Sequence, residues 1–251
     1  FSCSNPNLQQ IPRDREFRSC FISRPGYKLV IADYSQIELR VAAEISQDRT
    51  MIEAYRQGRD LHRLTAALLA NKPLDKVTKE ERQAAKAVNF GLIFAMGAKG
   101  LQAYARDTYG VEMTLEQAET FRRRFFEAYK GIAAWHRKVK SQETKETRTL
   151  CGRRKVWREP PGITNLYNTP VQGSAADIAK KALGNLIKAL EGTDIRIIGV
   201  VHDEILLEAP EECAKEAALL LKTAMEQAGS ECLKSVPVLA EAVIADNWAE
   251  K

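Results

Sequence analysis

The chain has 251 residues, of which 45% are hydrophobic and 28% are charged, and its formal net charge at pH 7 is +5. This composition predicts one or two globular domains, excludes a disordered tail, and leans only slightly toward a polyanionic partner. No apolar run approaches the ~20 residues that span a bilayer, and five widely spaced cysteines without a C-x-x-C pair argue against a disulfide framework or a zinc site and favour a reducing compartment.

The first 45 residues predict an extended leading segment, a strand and a helix. Residues 1–16 carry Asn, Ser and Pro with no period, which is typical of an irregular segment. Residues 27–35 are a continuous apolar run that ends in polar residues, as in a buried strand, and residues 36–45 then follow a helical period.

The stretch from about 60 to 145 is helical in nearly every window. Thr78 and Glu81 have the spacing of a capping box, which predicts the start of one helix. The pattern that begins at Thr114 predicts two further helices with a break near Gly131.

The last hundred residues alternate between strands and helices. We expect a short hairpin with Cys151-Gly152 near its turn, a long helix that begins at Pro170, and a strand, break and strand over 195–210. A helix and a last strand follow. Strands at both ends and helices between them predict an α+β core sheet with a helical insertion roughly from 46 to 145.

Acidic residues follow two of the predicted strands. Asp33 comes after the apolar run KLVIA, and Asp203 with Glu204 comes after RIIGVVH. If the fold pairs these strands, the carboxylates would repel one another unless a divalent cation lay between them. Two Mg²⁺ ions about 4 Å apart, bridged by aspartates, support in-line attack at phosphorus. The alternative is that each acid caps a strand end or a turn in water.

A second pattern lies on the predicted helix ERQAAKAVNFGLIFAMG. Its four-residue steps place two cations and two rings on one gently spiralling stripe: Arg82, Lys86, Phe90 and Phe94. Such a stripe suits a nucleoside triphosphate, because the cations would bind its phosphates and the rings would lie against its sugar and base. The alternative is a solvated basic half followed by a core-facing aromatic half.

A third group consists of three stretches rich in Asn, Gln and Arg: SNPNLQQIP, GRR at 152–154, and NTPVQGSAAD. These side chains suit phosphates, sugars and minor-groove edges, so they could position a duplex without reading its sequence. Loop and cap chemistry is the alternative for each stretch alone. His62 lies on a predicted helix, where a satisfied boundary histidine is the alternative to a ligand, whereas His202 stands beside two acids.

In order and spacing, DYSQIELR (33–40), RQAAKAVNFG (82–91) and VHDE (201–204) resemble the three signature motifs of family A DNA polymerases, the family of bacterial DNA polymerase I. The flanking NPNLQQIP, GRDLH, GRR and NTPVQGSAAD are similar too, so the resemblance covers essentially the whole chain. QQIPRDREF resembles a branch shared by some phage-like and plastid-type members.

The resemblance implies an α+β fold with an antiparallel palm sheet, flanking helices and a helical fingers insertion. The predicted boundaries are 1–45 for the first part of the palm, 46–145 for the fingers and 146–251 for the second part of the palm. Most of the thumb and any exonuclease domain would lie upstream. We therefore expect the C-terminal piece of a longer polymerase.

The resemblance also implies roles for individual residues. Asp33 and Asp203 would hold both catalytic metals with the carbonyl of Tyr34, while Glu204 and Lys86 would also be catalytic. The expected deoxynucleotide-binding residues are Gln36, Glu38, His62, Arg82, Lys86, Phe90 and Phe94. The expected DNA-binding residues are Asn7, Gln9, Arg153, Asn168, Gln172 and His202. Within these sets Glu38 resembles the steric gate against a 2′-hydroxyl, and Phe90 resembles the ring that packs on the incoming sugar.

The implied activity is template-directed addition of deoxynucleotides to a primer 3′-hydroxyl by two-metal-ion nucleotidyl transfer, with pyrophosphate release, in DNA replication and repair. The implied cofactor is a pair of Mg²⁺ ions, with Mn²⁺ as a substitute. We expect these metal ions and a primer terminus, and not a protein cation, to hold the acids of VHDE. The implied partners are primer-template DNA and deoxynucleoside triphosphates, with a monomer and no membrane.

The implied location is the cytoplasm of a bacterial or phage-infected cell, or a plastid-type organelle. One alternative function is a non-catalytic nucleic-acid-binding fragment, because the thumb is largely missing. Another is a two-metal nuclease, against which the rings of Phe90 and Phe94 count.

The chain departs from the family pattern at Phe94-Ala95, where Tyr-Gly is common. The ring is kept and its hydroxyl is lost, so we expect retained activity with altered fidelity or template positioning. Val200 stands where a Gln is common, which removes one expected primer contact.

Overall fold

A computed structural model describes residues 4–5, 7–12 and 14–251. Its helices are α1 (Arg15–Arg18), α2 (Ile37–Ser46), α3 (Arg49–Arg56), α4 (Leu61–Ala70), α5 (Lys79–Ile93), α6 (Ala98–Tyr109), α7 (Leu115–Ala128), α8 (Lys130–Lys140), α9 (Ile163–Ala189) and α10 (Ala214–Cys232). Its strands are β1 (Tyr27–Tyr34), β2 (Glu146–Arg148), β3 (Arg154–Val156), β4 (Arg196–Val201), β5 (Glu204–Pro210) and β6 (Ala240–Ala245). The predicted α+β class is confirmed.

The described chain divides into two compact units. The sheet unit contains the described residues up to Ile37 together with 175–232 and 238–251, and the helical unit contains 38–174 and 233–237. This division falls near the start of α2 and inside α9, so it differs from the predicted boundaries at 45/46 and 145/146. The assignment of palm and fingers to sequence ranges stays a prediction.

The sheet unit is built on an antiparallel four-stranded sheet in the order β4-β5-β1-β6. β1 is the apolar run of the sequence, it lies between β5 and β6, and its central residues are fully buried. Helix α10 packs against β1, β5 and β6. A cluster that includes the indole of Trp248 packs beside Leu29, Ile31 and Leu206. Buried packing on both sides therefore fixes the register of β1.

The helical unit packs α5 against α4, α6 and α7. The predicted capping box is confirmed: Thr78 accepts from the backbone N–H of Glu81, and the Glu81 carboxylate accepts from the backbone N–H of Thr78. The small and apolar residues of α5 face the core, including Ala85, Val88 and Leu92. This leaves the stripe that begins at Arg82 half-buried.

The break near Gly131 is confirmed, and its cause is a close contact with Asp48. A Cβ on Gly131 would lie 2.4 Å from the Asp48 Cα atom, so only glycine fits there. The Asp48 carboxylate accepts from the backbone N–H groups of Met51, Gly131 and Ile132. One acid therefore caps α3 and ties it to the first turn of α8.

Helix α9 begins at Ile163, so the prediction that it begins at Pro170 is wrong. A helical proline removes one backbone donor, but α9 tolerates it because the turn around Pro170 is held by other bonds. Ser174 donates its hydroxyl to the Pro170 carbonyl at 2.6 Å and accepts from the Leu150 N–H at 2.8 Å. The predicted hairpin is confirmed as β2 and β3, with Gly152 at φ +87° in its turn.

Two further sequence expectations meet the structure here. Cys151 and Cys232 each take part in a disulfide bond, so the expectation of reduced cysteines was wrong for these two residues, whereas Cys20 and Cys213 are free. The spacing of the cysteines in the sequence gave no sign of a disulfide. Within the described residues, no helix is long and apolar enough to cross a membrane.

Candidate functional site

The register of the sheet brings Asp33, Asp203 and Glu204 to one edge, which we call the acid end. Asp33 pairs with Glu204 across β1 and β5, and Val201 pairs with Glu204 across β4 and β5, so His202 and Asp203 form the turn of that hairpin. His202 has a φ of +58°, as a tight hairpin turn requires. The Tyr34 N–H also donates to the Asp203 carbonyl at 3.4 Å.

The acid end borders a cavity of about 510 Å³. Its polar lining consists of Gln9, Arg18, Asp33, His202, Asp203, Glu204, Glu241 and Lys251. Burial raises the pKa of the Asp203 carboxyl, and the charge of Asp33 raises it further, although a backbone hydrogen bond works in the opposite direction. The site therefore favours the arrival of positive charge.

A protein cation already lies at the acid end. The Lys251 ammonium is 3.0 Å from Asp33 Oδ2 and also binds Glu204 Oε2. Trp248 donates its indole N–H to Glu204 Oε1 at 2.6 Å, and the Arg18 guanidinium stacks on the Trp248 ring at 4.3 Å. The expectation that no protein cation holds the acids was therefore wrong, because the chain after β6 folds back to them.

The chemistry of the donors at the acid end fits divalent cations. Asp33 and Asp203 supply hard carboxylate oxygens from adjacent strand ends, and the site attracts an ammonium group. Among the residues that the structure describes, no set of three or more His, Cys, Asp or Glu side chains forms a preassembled metal site.

The predicted stripe follows helix α5. Arg82, Lys86 and Phe90 lie within α5, and Phe94 is its C-cap with φ −95°. Arg82 donates from Nε to Asp60 Oδ2 at 2.5 Å, and the Lys86 ammonium lies 5.9 Å from the centre of the Tyr109 ring. The basic half of the stripe is thus partly satisfied by protein groups.

Asp60 connects this stripe to helix α4. It caps α4 by accepting from the backbone N–H groups of His62 and Arg63. Partial burial would raise the pKa of Asp60, but the hydrogen bond from Arg82 and the backbone bond from Arg63 hold it below its usual value. Asp60 is therefore a charged partner of Arg82, and it engages the Nε atom of the guanidinium.

His62 is a buried histidine in a hydrogen-bonded network. Its Nδ1 atom is 2.9 Å from Asn89 Nδ2, and Asn89 Oδ1 is 2.9 Å from the Thr65 hydroxyl, which contacts the Tyr129 hydroxyl at 2.7 Å. Its ring centre lies 5.9 Å from that of Phe90. Burial lowers the pKa of His62 to about 4, and Arg82 and Lys86 lower it as well, against the opposing charge of Asp60. His62 is therefore neutral at pH 7.

The remaining predicted residues are split between the two units. In the sheet unit, Asn7 accepts from the Gln9 N–H at 3.1 Å, Gln9 lines the cavity at the acid end, His202 is exposed, and Gln36 has a φ of +56°. Gln9 lies in a short 3-10 helix, and the other three residues lie on turns or irregular backbone. The binding roles of these four residues stay predictions.

In the helical unit, Arg153 donates to the Gly173 carbonyl at 3.0 Å, and a Cβ on Gly173 would lie 2.8 Å from Thr149 Cγ2. The small residues of NTPVQGSAAD thus allow close packing against the hairpin. Gln172 is exposed, and Asn168 Oδ1 is buried without a hydrogen-bond partner among the described residues. Glu38, also in this unit, is half-buried.

Sequence reasoning missed four residues that shape these sites: Trp248, Lys251, Asp60 and Asn89. Asp60 had a local signal, because an aspartate before an apolar-periodic segment is a typical N-cap. Asn89 lay between two residues of the stripe and gave none. Trp248 and Lys251 depend on where the last turn packs, which no local pattern encodes.

The chain is similar to known proteins over nearly its whole length. The family model for DNA polymerase family A matches residues 1–250. DNA polymerase I of Aquifex aeolicus is 43% identical over 99% of this chain and 44% of its own length. The thermostable DNA polymerase I of Thermus thermophilus is 36% identical over 98% of this chain and 30% of its own length.

A solved structure, the "POL domain of Pol1 from M. smegmatis complex with DNA primer-template and dNTP", superimposes with a TM-score of 0.89. It is 33% identical and covers 99% of this chain and 45% of that chain. The chain thus spans less than half the length of these relatives. Since the family model matches nearly the whole of it, the chain belongs to DNA polymerase family A.

Proposed function

We propose that this chain is the catalytic core of a template-directed DNA polymerase that extends a primer 3′-hydroxyl with deoxynucleotides and releases pyrophosphate. The observation that carries the proposal is the meeting of Asp33 and Asp203 at one edge of the sheet, in a chain of this family. Residues 33 and 203 are far apart in sequence and come together only through strand pairing.

The metal site would use Asp33 and Asp203 as ligands, with the backbone carbonyl of Tyr34 beside them. Bound Mg²⁺ ions, or Mn²⁺ in their place, would lower the pKa of the primer hydroxyl and neutralise charge on the phosphates and the departing pyrophosphate. Glu204 has a different task in this proposal. Its buried carboxylate accepts from the Trp248 indole, so it holds the hairpin turn in register with Asp33.

The stripe on α5 would bind the incoming nucleotide. Arg82 and Lys86 would neutralise the triphosphate, and Lys86 would also donate a proton to the leaving group. His62 is neutral and buried beside Phe90, so it would offer a hydrogen bond and not a charge. Phe90 would pack against the sugar, Phe94 against the base, and Glu38 would exclude a 2′-hydroxyl; Gln36 would complete the nucleotide contacts.

The proposed contacts to primer-template DNA are those that the family resemblance implies. Asn7, Gln9, Arg153, Asn168, Gln172 and His202 would contact primer and template. Amide and guanidinium groups of this kind bind sugar, phosphate and groove edges without strict sequence preference. We propose that the protein works in the cytoplasm in replication or repair, a proposal that the DNA polymerase I relatives support. We also propose that it is a monomer.

Replacing Asp203 with Asn tests the proposal directly. The unmodified chain should extend a labelled primer on a template with four deoxynucleotides and Mg²⁺, whereas Asp203→Asn should lose at least about a thousandfold in rate because a charged metal ligand is removed. Glu212→Gln is the matched control, since it removes an exposed carboxylate from the same unit. Extension by Asp203→Asn at the rate of the control would refute the assignment.

The same assay separates the rival functions. Primer degradation that depends on Asp203 would indicate a two-metal nuclease. Duplex binding with neither extension nor degradation would indicate a non-catalytic fragment. This alternative is tested because the chain spans only 44% of the length of the Aquifex aeolicus relative. Binding is measured in parallel by fluorescence anisotropy of the labelled duplex.

A further inference from the structure

The contact between Lys251 and the acid end has no role in the proposed reaction. Its ammonium lies 3.0 Å from Asp33 Oδ2 and also binds Glu204 Oε2. The Lys251 side chain is 19% exposed, against 39% for Asp33 and 9% for Glu204. The attraction between a partly buried ammonium and two carboxylates is stronger than that of an ion pair on the exposed surface, because water screens it less.

The backbone that carries Lys251 is held in place independently of this contact. The Trp248 N–H donates to the Phe21 carbonyl at 3.0 Å, and Ile22 forms a β-bridge with Asn247. The Trp248 side chain is 3% exposed and packs beside Leu29. The position of Lys251 therefore follows from packing of the preceding turn, and the lysine is presented to the acids by a fixed anchor.

Glu204 and Asp33 differ in how many partners hold them. Glu204 accepts from Trp248 and Lys251, and an Arg18 nitrogen lies 4.0 Å from it. Among the contacts in the part of the chain that the structure describes, Lys251 is the cation placed on Asp33. Removing Lys251 would thus leave Glu204 with two partners, while Asp33 would face the nearby charge of Asp203 without a counter-ion.

We propose that Lys251 is an internal counter-ion that occupies the metal-binding side of Asp33 and competes with the divalent cation for it. The inference rests on the proposed function, because the competing cation is the polymerase metal. Arrival of the metal would displace the ammonium from Asp33, while the flexible four-carbon stem lets it keep Glu204. Lys251 is thus a positioning residue that keeps the acid end ordered before the metal binds and weakens metal binding to the free protein.

The test measures Mn²⁺ binding without DNA or nucleotide, by electron paramagnetic resonance of the unbound ion. Lys251→Gln should bind Mn²⁺ about fivefold more tightly than the unmodified chain, because a positive charge close to the ion is gone. Lys251→Arg keeps the charge and should stay within about twofold of the unmodified chain. Lys215→Gln removes an exposed lysine of the same unit and is the control for net charge.

A second readout comes from thermal unfolding. In chelator, Lys251→Gln should melt below the unmodified chain, and saturating Mn²⁺ should close that gap, whereas Lys215→Gln should show neither effect. Unchanged or weaker Mn²⁺ affinity in Lys251→Gln, relative to Lys215→Gln, would overturn the proposal. So would an equal gain in both variants, which would mean that only net charge matters.

Failure of the proposed function would look different. If the unmodified chain does not extend primers but Lys251→Gln gains Mn²⁺ affinity, the counter-ion role stands and the polymerase assignment falls. If primers are extended and the affinity does not change, the reverse holds. Asp33→Asn, which lacks a proposed metal ligand, is the negative reference. If the unmodified chain and Lys251→Gln bind no more Mn²⁺ than Asp33→Asn does, both the competition and the metal site are overturned.

Discussion

The acid end and the α5 stripe each hold a group of the opposite charge in place of the ligand proposed for it. At the acid end an ammonium, that of Lys251, lies on Asp33. On the stripe a carboxylate, that of Asp60, lies on Arg82. Both arrangements satisfy charged side chains before any ligand arrives, since unpaired charge in a half-buried position is costly.

The two regions differ in what builds them. The stripe is local: one helix with a capping box presents residues at four-residue steps, and its partner Asp60 caps the preceding helix. The acid end is non-local, because strand register and a packed indole bring three distant segments together. We therefore expect the loss of a buried side chain to disrupt the acid end, where distant segments meet, and protonation of the buried His62 to act on the region of the stripe.

The largest expected effect is that of Trp248→Ala. It removes a buried indole beside Leu29 and Ile31, so the free energy of unfolding should fall by about 4 kcal/mol in urea denaturation. Trp248→Phe keeps most of the volume and loses the hydrogen bond to Glu204, so it should cost about 2 kcal/mol. Equal costs for the two variants would mean that packing contributes little and that the comparison drawn above is wrong.

The second prediction concerns pH and the stripe. Burial lowers the pKa of His62 to about 4, so between about pH 6.5 and pH 4 the unfolded chain binds a proton that the folded chain does not. Stability from this histidine is therefore present above pH 6.5 and is lost as the pH falls, by about 3 kcal/mol below pH 4. Unfolding free energies of the unmodified chain and His62→Gln should converge as the pH falls through this window.

Carboxylates also titrate in that pH range, so the difference between the two proteins is the informative quantity. A variant at the acid end supplies an independent check, because Lys251 and His62 lie in different units. Lys251→Gln should leave unchanged the pH-dependent part of the unfolding free energy that His62 contributes. A difference between the unmodified chain and His62→Gln that is constant from pH 7 to pH 4 would contradict the prediction.

What the sequence could predict follows the same local and non-local division. β1 and the capping box at Thr78 and Glu81 were predicted because each depends on residues within a few positions. The break near Gly131 was also predicted, although the residue in close contact with Gly131 is Asp48, 83 positions away. The predicted start of α9 was wrong. The prediction rested on the average preference of proline for the start of a helix, whereas here Pro170 lies inside α9 and Ser174 donates to its carbonyl.

The candidate sites divide likewise. The sequence placed Asp33 and Asp203 at strand ends, but only the sheet register shows that they share an edge. It could not place Lys251 on Asp33, because that contact depends on how the turn at Trp248 packs. The Asp60–Arg82 pair also escaped, although both residues lie in segments whose helices were predicted correctly.

The third prediction tests the carboxylate on the stripe. Asp60→Asn keeps a side chain that can cap α4 and removes the negative charge that is paired with Arg82. The free energy of unfolding should fall by less than about 1 kcal/mol, because the pair is partly exposed. If Arg82 binds the triphosphate, loss of the competing carboxylate should strengthen nucleotide binding about threefold in isothermal titration. Asp75→Asn, at an exposed site of the same unit, is the control. Weaker nucleotide binding in Asp60→Asn would show that Asp60 positions Arg82 and does not compete for it.

The smallest expected effect is at Ala95, which follows the helix that carries the stripe. Its φ is +62°, a region that costs an alanine roughly 1–2 kcal/mol and a glycine almost nothing. Ala95→Gly also gains unfolded-state entropy, which takes back about 0.5–1 kcal/mol, so the net stabilisation should be about 0.5 kcal/mol. The resemblance to the family implies glycine at this position, and the positive φ would account for that preference.

Ala84→Gly is the matched control for Ala95, because it makes the same chemical change in the helical interior of α5 and should destabilise the chain by about 1 kcal/mol. Opposite signs for the two variants in urea denaturation would show that the backbone after Phe94 is strained as the structure has it. Equal destabilisation would mean that Ala95 adopts an ordinary conformation in solution. In that case side-chain contacts, and not the backbone conformation of Ala95, would position the end of the stripe. The backbone would then fix the stripe less firmly than strand register fixes the acid end.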